Sequence, residues 1–263
     1  MSCPDCTSGN SLPGSPKGTE ENGVYFAKGS SQPDTKDKAV IVFTDIFGLS
    51  ISNPKVIADT IAERTGFDVW VPDLFDGRIP VKPEVLDFFL PRHPGEKMGL
   101  WRKVRFYWTL LTHIPGMIGC RPAVVDPRAK EFLTKIKAEH GYKSIGVVGY
   151  CFGGAISIRL APLDAVTSVV IAHPAPSTLD AIKAINVPVS WACAEEDDAF
   201  PKELRLQAEA HFKSRTPELQ YEFVDYPGTV HGFAARPARE QPLSVEGHEK
   251  ALEQTIKWFQ STL

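Results

Sequence analysis

The sequence predicts an α/β fold, a mostly parallel central sheet with helices on both faces. Three observations predict it. Apolar runs of strand length recur along the chain, amphipathic stretches separate them, and the residues best suited to chemistry fall just past the runs. A strand buried on both faces reads as a nearly continuous apolar run, the pattern of parallel sheets. Ligands of such sheets bind outside the carboxyl ends of the strands.

Residues 1–20 hold several Gly, Ser and Pro and few large apolar residues, and are expected to form a flexible arm ahead of a single domain over 21–263. Ala39-Val40-Ile41-Val42-Phe43 is the first buried-strand run. Asn53-Pro54 reads as an N-cap followed by Pro at the first helical position, with Ile57 and Ile61 four residues apart and Gly66 closing the helix. The next strand is expected over 67–71, ending in Pro72-Asp73. Residues 76–122 are rich in Pro and aromatics, with a helix expected over 101–111. Asp126-Pro127 opens a helix with Phe132, Leu133 and Ile136 on one face, and Gly141 ends it. Strand-like runs follow at 144–148, 168–172, 187–192 and 219–224. Ala251, Leu252, Thr255, Ile256 and Phe259 mark a last helix. No internal repeat or second-domain boundary interrupts the pattern.

Composition narrows the function classes. The chain has 263 residues, 43% of them hydrophobic, and a net charge of −3 with no long basic or acidic run. Electrostatic binding to nucleic acid or to an anionic membrane is therefore not expected. No apolar stretch reaches the ~18–20 residues of a membrane span, and the polar N-terminus lacks the apolar region of a secretory signal. Five cysteines, an odd number, favour free thiols in a reducing compartment, and the cytoplasm is the expected location. Ser261-Thr262-Leu263 departs from the Ser-Lys-Leu peroxisomal address. Cys3-Pro4-Asp5-Cys6 lacks the second ligand pair zinc would need, so the two are expected as unstructured thiols. Cys120 and Cys193 are expected as packing residues. No metal or organic cofactor is expected, and the chain is read as a monomer or small homo-oligomer.

Gly149-Tyr150-Cys151-Phe152-Gly153-Gly154 lies between the run at 144–148 and a helix-compatible run from Ala155. A strand turning at once into a helix strains the residue at the turn, and side chains two positions either side would collide. Glycine at 149 and 153 meets that demand with Cys151 at the tip. The sulfur would then sit at a helix N-terminus, whose dipole favours thiolate. The competing reading is a buried cysteine with glycines by chance; the flanking strand and helix favour a nucleophile.

A base and an acid should follow. The run at 187–192 leads into Glu195-Glu196-Asp197-Asp198, four carboxylates among which chemistry alone does not choose, against the alternative of an exposed acidic turn. The run at 219–224 leads to His231 in a turn-rich loop. Of seven histidines it alone follows the acidic cluster in that position. His248, at the start of the last helix, is expected to be a solvated surface residue. His173, at a strand end, is expected either to pack or to line a pocket.

These segments together resemble the dienelactone hydrolases and related carboxymethylenebutenolidases. The resemblance rests on Asp45-Ile46-Phe47-Gly48, Pro72-Asp73-Leu74-Phe75, the Cys151 elbow, Asp197 four residues before Pro201, and His231-Gly232-Phe233, in the family's order. It implies an α/β-hydrolase fold and a Cys151–His231–Asp197 triad, acting on a small-molecule lactone or carboxylic ester through an acyl-enzyme. It also implies an oxyanion hole from the backbone N–H groups of Ile46 and Phe152. Family members carry a Glu tied to thiol activation where this chain has Asp45, a possible modulator of the thiol, against the plainer role of capping a turn. The family binds a substrate carboxylate with arginines, one in a His-x-Phe-Ala-Arg segment. Here Ala235 takes that place and Arg236 comes one residue later, which counts against dienelactone itself as the substrate. Between 84 and 118, Trp108 and Tyr107 are candidates for substrate binding beside Arg92, Arg102 and Arg105, although most aromatics there are expected to bury in the core. Three other readings stay open. One is a general carboxylesterase, thioesterase or secondary-metabolite acyl hydrolase on the same scaffold. Another is a hydrolase-fold binding protein without catalysis. The last, a glutamine-amidotransferase-like cysteine elbow, is disfavoured by the separate acid and base after two later strands.

Overall fold

The computed structural model describes residues 11–30, 32–86 and 88–263. Its eight strands are β1 (Thr19–Glu21), β2 (Val24–Ala27), β3 (Lys38–Phe43), β4 (Asp68–Pro72), β5 (Ser144–Tyr150), β6 (Ser168–Ala172), β7 (Val189–Glu196) and β8 (Tyr221–Val230). They form one sheet in the order β1-β2-β4-β3-β5-β6-β7-β8. The pairs β1–β2 and β2–β4 are antiparallel; every other pair is parallel. This is the mixed α/β sheet that the apolar runs predict, with two antiparallel edge strands they do not reveal.

The alternation along β3 explains the layering. Ala39, Ile41 and Phe43 pack into the core of one face, with Leu133, Ile136, Ile156 and Phe212. Val40 and Val42 pack into the core of the other, with Ile57, Ile61, Ala251 and Phe259. The helices are α1 (Asn53–Thr65), α2 (Pro83–Leu86), α3 (Leu100–Thr112), α4 (Ile114–Met117), α5 (Pro122–His140), α6 (Phe152–Leu160), α7 (Leu179–Lys183), α8 (Lys202–Ser214) and α9 (Pro242–Thr262). Thus α1 and α9 cover one face, and α5, α6 and α8 the other. None is long and apolar enough, among the described residues, to cross a membrane.

Three local expectations are corrected. The N-cap of α1 is Ser52, not Asn53. The Asn53 side chain is engaged elsewhere, accepting from Leu12 N at 3.1 Å and donating to Ala235 O at 2.9 Å. Helix α5 begins at Pro122, more than a turn before Asp126, and carries Pro127 inside it. Ala123 and Pro127 are both exposed, so water can satisfy the carbonyl that Pro127 cannot reach. Apart from Phe106, which packs inward, the aromatics of α3 do not bury: Trp101 is 80%, Trp108 67% and Tyr107 65% exposed. Arg102 turns the helix this way, its guanidinium holding Glu96 and the carbonyls of Phe88 and Leu90.

Of the expected arm, residues 1–10, with Cys3 and Cys6, lie outside the described residues. Residues 11–20 are tied to α1 and β2. Lys17 N donates to Asp59 at 2.7 Å, Gly18 N donates to the Tyr25 hydroxyl at 2.6 Å, and Thr19–Glu21 is strand β1.

Candidate active site

The elbow forms where β5 meets α6. Cys151 is held at φ 52°, a conformation an L-residue adopts only under constraint. The constraint is visible on all sides. Cys151 N donates to Ala172 O at 3.1 Å, its carbonyl accepts from Ala175 N at 2.7 Å, and Gly153 N donates to Thr44 O at 2.9 Å. A Cβ on Gly149 would sit 2.2 Å from Gly153 O, and one on Gly153 would sit 2.0 Å from Phe43 O. The two glycines are therefore required by packing, as the spacing predicts.

His231 follows the end of β8 and reaches back over the elbow, its Nε2 3.0 Å from Cys151 Sγ. Its Nδ1 lies 2.9 and 3.0 Å from the two oxygens of Asp197. Asp197 follows a register shift at the end of β7. One of its oxygens also accepts from Ala199 N and Phe200 N, which fixes the carboxylate. The other carboxylates of the cluster go elsewhere: Glu195 accepts from Gly228 N, Glu196 from Gly95 N, and Asp198 is exposed. Of the four, only Asp197 meets the imidazole.

Electrostatics follow from this line of contacts. Burial alone would lower the His231 pKa, but the charge of Cys151 and the bonds to Asp197 and Cys151 hold it well above the ordinary histidine value. Burial would raise the Asp197 pKa, yet the bond to His231 and its positive charge hold it low. Beneath them lies His173, fully buried at φ 34°. Its ring meets the His231 ring edge-on at 5.2 Å, and neither ring nitrogen has a partner among the described residues. Burial pushes its pKa down to about 3, so His173 is a neutral wall.

Cys151 and His231 open into a cavity of about 160 Å³, lined also by Asp45, Ile46, Phe47, Leu86, Arg92 and Arg236. Asp45 caps its own turn, accepting from Phe47 N at 2.9 Å, and faces the cavity as well. Ile46 follows β3 in the same loop. Phe152 opens α6, so its N–H belongs to the helix end that has no intrahelical acceptor. Arg236 reaches the cavity despite its one-residue displacement, with its guanidinium 4.2 Å over the Phe47 ring.

Other expected residues are not brought here. Trp108 and Tyr107 stand exposed on α3 and do not line the cavity. His173 supports the histidine from below rather than lining the cavity. His248 is corrected from surface to interior: it is 7% exposed, with Nδ1 2.7 Å from Ala234 O, and burial lowers its pKa. Leu86, Ala238 and Ser244 line the cavity without a local signal, because each comes from a separate segment.

Known proteins share the sequence pattern and the fold of this chain. The profile of the dienelactone hydrolase family matches residues 24–263. The chain belongs to that family. It is 31% identical to "Hydrolase tropI" of Talaromyces stipitatus over 97% of this chain and 94% of that one. It is 26% identical to the carboxymethylenebutenolidase homolog of Homo sapiens over 88% and 84%. The fold is shared with a dienelactone hydrolase-like promiscuous phosphotriesterase, P91, from metagenomic libraries. That likeness has a TM-score of 0.58 at 18% identity, over 91% of this chain and 92% of the other. The chain is thus a hydrolase of the dienelactone hydrolase family.

Proposed function

We propose that this hydrolase cleaves a compact lactone or carboxylic ester through an acyl-enzyme on Cys151. The observation that carries the reading is the unbroken line from Cys151 Sγ through His231 to Asp197, opening into the cavity. His231 Nε2 takes the thiol proton as Sγ attacks the carbonyl carbon. Asp197 holds Nδ1–H in register and stabilises the imidazolium that results. The oxyanion is met by the N–H groups of Ile46 and Phe152 at the mouth of α6. Collapse expels the alcohol, which His231 protonates; His231 then deprotonates water, which attacks the thioester carbonyl and releases Cys151. The chemistry uses only this chain's side chains, its backbone and water.

The cavity sets the substrate class. About 160 Å³ is the scale that admits a benzene-sized group rather than a long chain. Arg236 and Arg92, the latter paired with Glu240 at 2.8 Å, bring guanidinium groups to a wall that also carries Asp45, which suits a substrate with a polar group beside its compact apolar part. Asp45, a buried carboxylate, stands in the same lining. Residues 21–263 act as one catalytic domain in this reading, in the cytoplasm, where free thiols stay reduced.

The test is a panel of short aryl esters and lactones, dienelactone included, with Cys151→Ala and His231→Ala beside the parent. Turnover that both substitutions abolish, with a mass adduct on Cys151 after rapid quenching, is the expected result. Equal turnover in all three proteins would sink the triad.

A further inference from the structure

From position 97 to 125 the sequence has no Asp or Glu, yet it carries Lys97, Arg102, Lys103, Arg105 and Arg121. The net charge of −3 speaks against an anionic membrane for the chain as a whole, but this concentration of cations is local and reverses that expectation for one face. At ~100° per residue, Leu100, Trp101, Val104, Tyr107, Trp108 and Leu111 share one arc of α3, and all six are exposed. Lys103 stands on one border of the arc and Arg105 on the other, both exposed. The opposite side, with Phe106 and Arg102, is the side that packs. Exposed Ile114 and Ile118 carry the apolar surface past the end of the helix. Among the described residues, nine of the twelve exposed large hydrophobic side chains fall between 100 and 118, where on a monomer they are ordinarily scattered singly.

We propose that α3 and the turn after it dock on an anionic lipid surface, with the apolar arc in the headgroup boundary and the flanking cations on lipid phosphates. Tryptophan and tyrosine favour that boundary because each has an apolar body and a polar tip. Lysine and arginine beside an apolar stripe on a helix are the composition of interfacial binding. The helix, about 20 Å long, is too short to span ~30 Å of hydrocarbon and lies in the plane. A second copy of this chain is the poorer occupant. A two-fold contact uses the same surface twice, and this one would set the cations of one copy against those of the other, while the nearby carboxylates Glu96, Glu196 and Asp198 lie in the groove beside Lys103 rather than on the arc.

The full chain is sedimented with vesicles of phosphatidylcholine alone and of equal parts phosphatidylcholine and phosphatidylglycerol. Sedimentation with the anionic vesicles only, a blue shift of tryptophan emission, and release as salt rises from about 50 to about 500 mM are expected. W101S/L111S and K103E/R105E should each lower partitioning at least about tenfold while aryl-ester turnover stays at the parent level, which shows that the variants fold. Failure to sediment with the anionic vesicles, or unchanged partitioning in both variants, overturns the proposal. A parent that does not sediment but forms a dimer that W101S/L111S disperses assigns the face to a second copy instead.

Discussion

The elbow and the cap are built on opposite terms. At the elbow, Cys151 is fixed through both its backbone polar groups, by β6 on one side and the following turn on the other, and glycine contacts leave no room for alternatives. In the cap, the outer segment around α3, Arg102 and Phe106 are the described side chains that tie the helix inward, and Trp101, Tyr107 and Trp108 face solvent. The difference teaches where such a fold keeps its precision. The line from Cys151 through His231 to Asp197 is placed by the sheet, and the outer cap is left open to solvent.

The comparison breaks if chemistry tolerates change at the elbow. Cys151→Ala or His231→Ala is expected to lower kcat at least about 10⁴-fold. Gly153→Ala is the sharper structural test. Helix propensity alone would credit alanine with about 1 kcal/mol of stability. The added Cβ would lie 2.0 Å from Phe43 O, backbone that cannot yield cheaply. A net loss of about 3 kcal/mol is expected in urea denaturation; a gain would show that the elbow is looser than its contacts.

Much of this was legible in the residues, for a physical reason. Strands buried on both faces must be apolar throughout, so β3, β5 and β6 announce themselves. Cys151 was legible because the turn's geometry forces glycine at 149 and 153. Asp197 was legible only through the family resemblance, since four adjacent carboxylates satisfy the same chemistry and the one that meets His231 is set past a register shift at the end of β7. Strand β1 is polar and exposed at the sheet edge, so no apolar signal marked it. His248 was misread because what buries it, the Ala234 carbonyl, is distant in sequence. For α3, periodicity defines a stripe but not which side the fold covers.

The histidines beneath the site sharpen the comparison through pH. His173 has its folded pKa depressed to about 3, from ~6.5 unfolded. Its burial in neutral form therefore carries no protonation cost above pH ~6.5, and stability is lost as pH falls from there toward the folded value. At pH 5 the cost is about 2 kcal/mol. His173→Phe should recover that amount at pH 5 relative to pH 8, measured as the change in the variant–parent difference; a constant difference would mean that His173 finds a proton partner in the fold. His231 runs the other way. Its raised folded pKa contributes stability fully present below pH ~6.5 and lost as pH rises through the folded value. Asp197→Asn should thus lie furthest below the parent in melting temperature near pH 6, with the gap closing on the alkaline side.

The smallest effect is expected in the cap, and its smallness is the point. Trp101 and Leu111 are exposed on α3 and do not line the cavity. Replacing exposed side chains that touch no packed partner costs within about 0.5 kcal/mol, so W101S/L111S should unfold in urea at nearly the parent midpoint. Its kcat on short aryl esters should also match the parent. A loss above about 2 kcal/mol would be core behaviour, and would mean that α3 folds inward in solution and belongs with the elbow rather than against it.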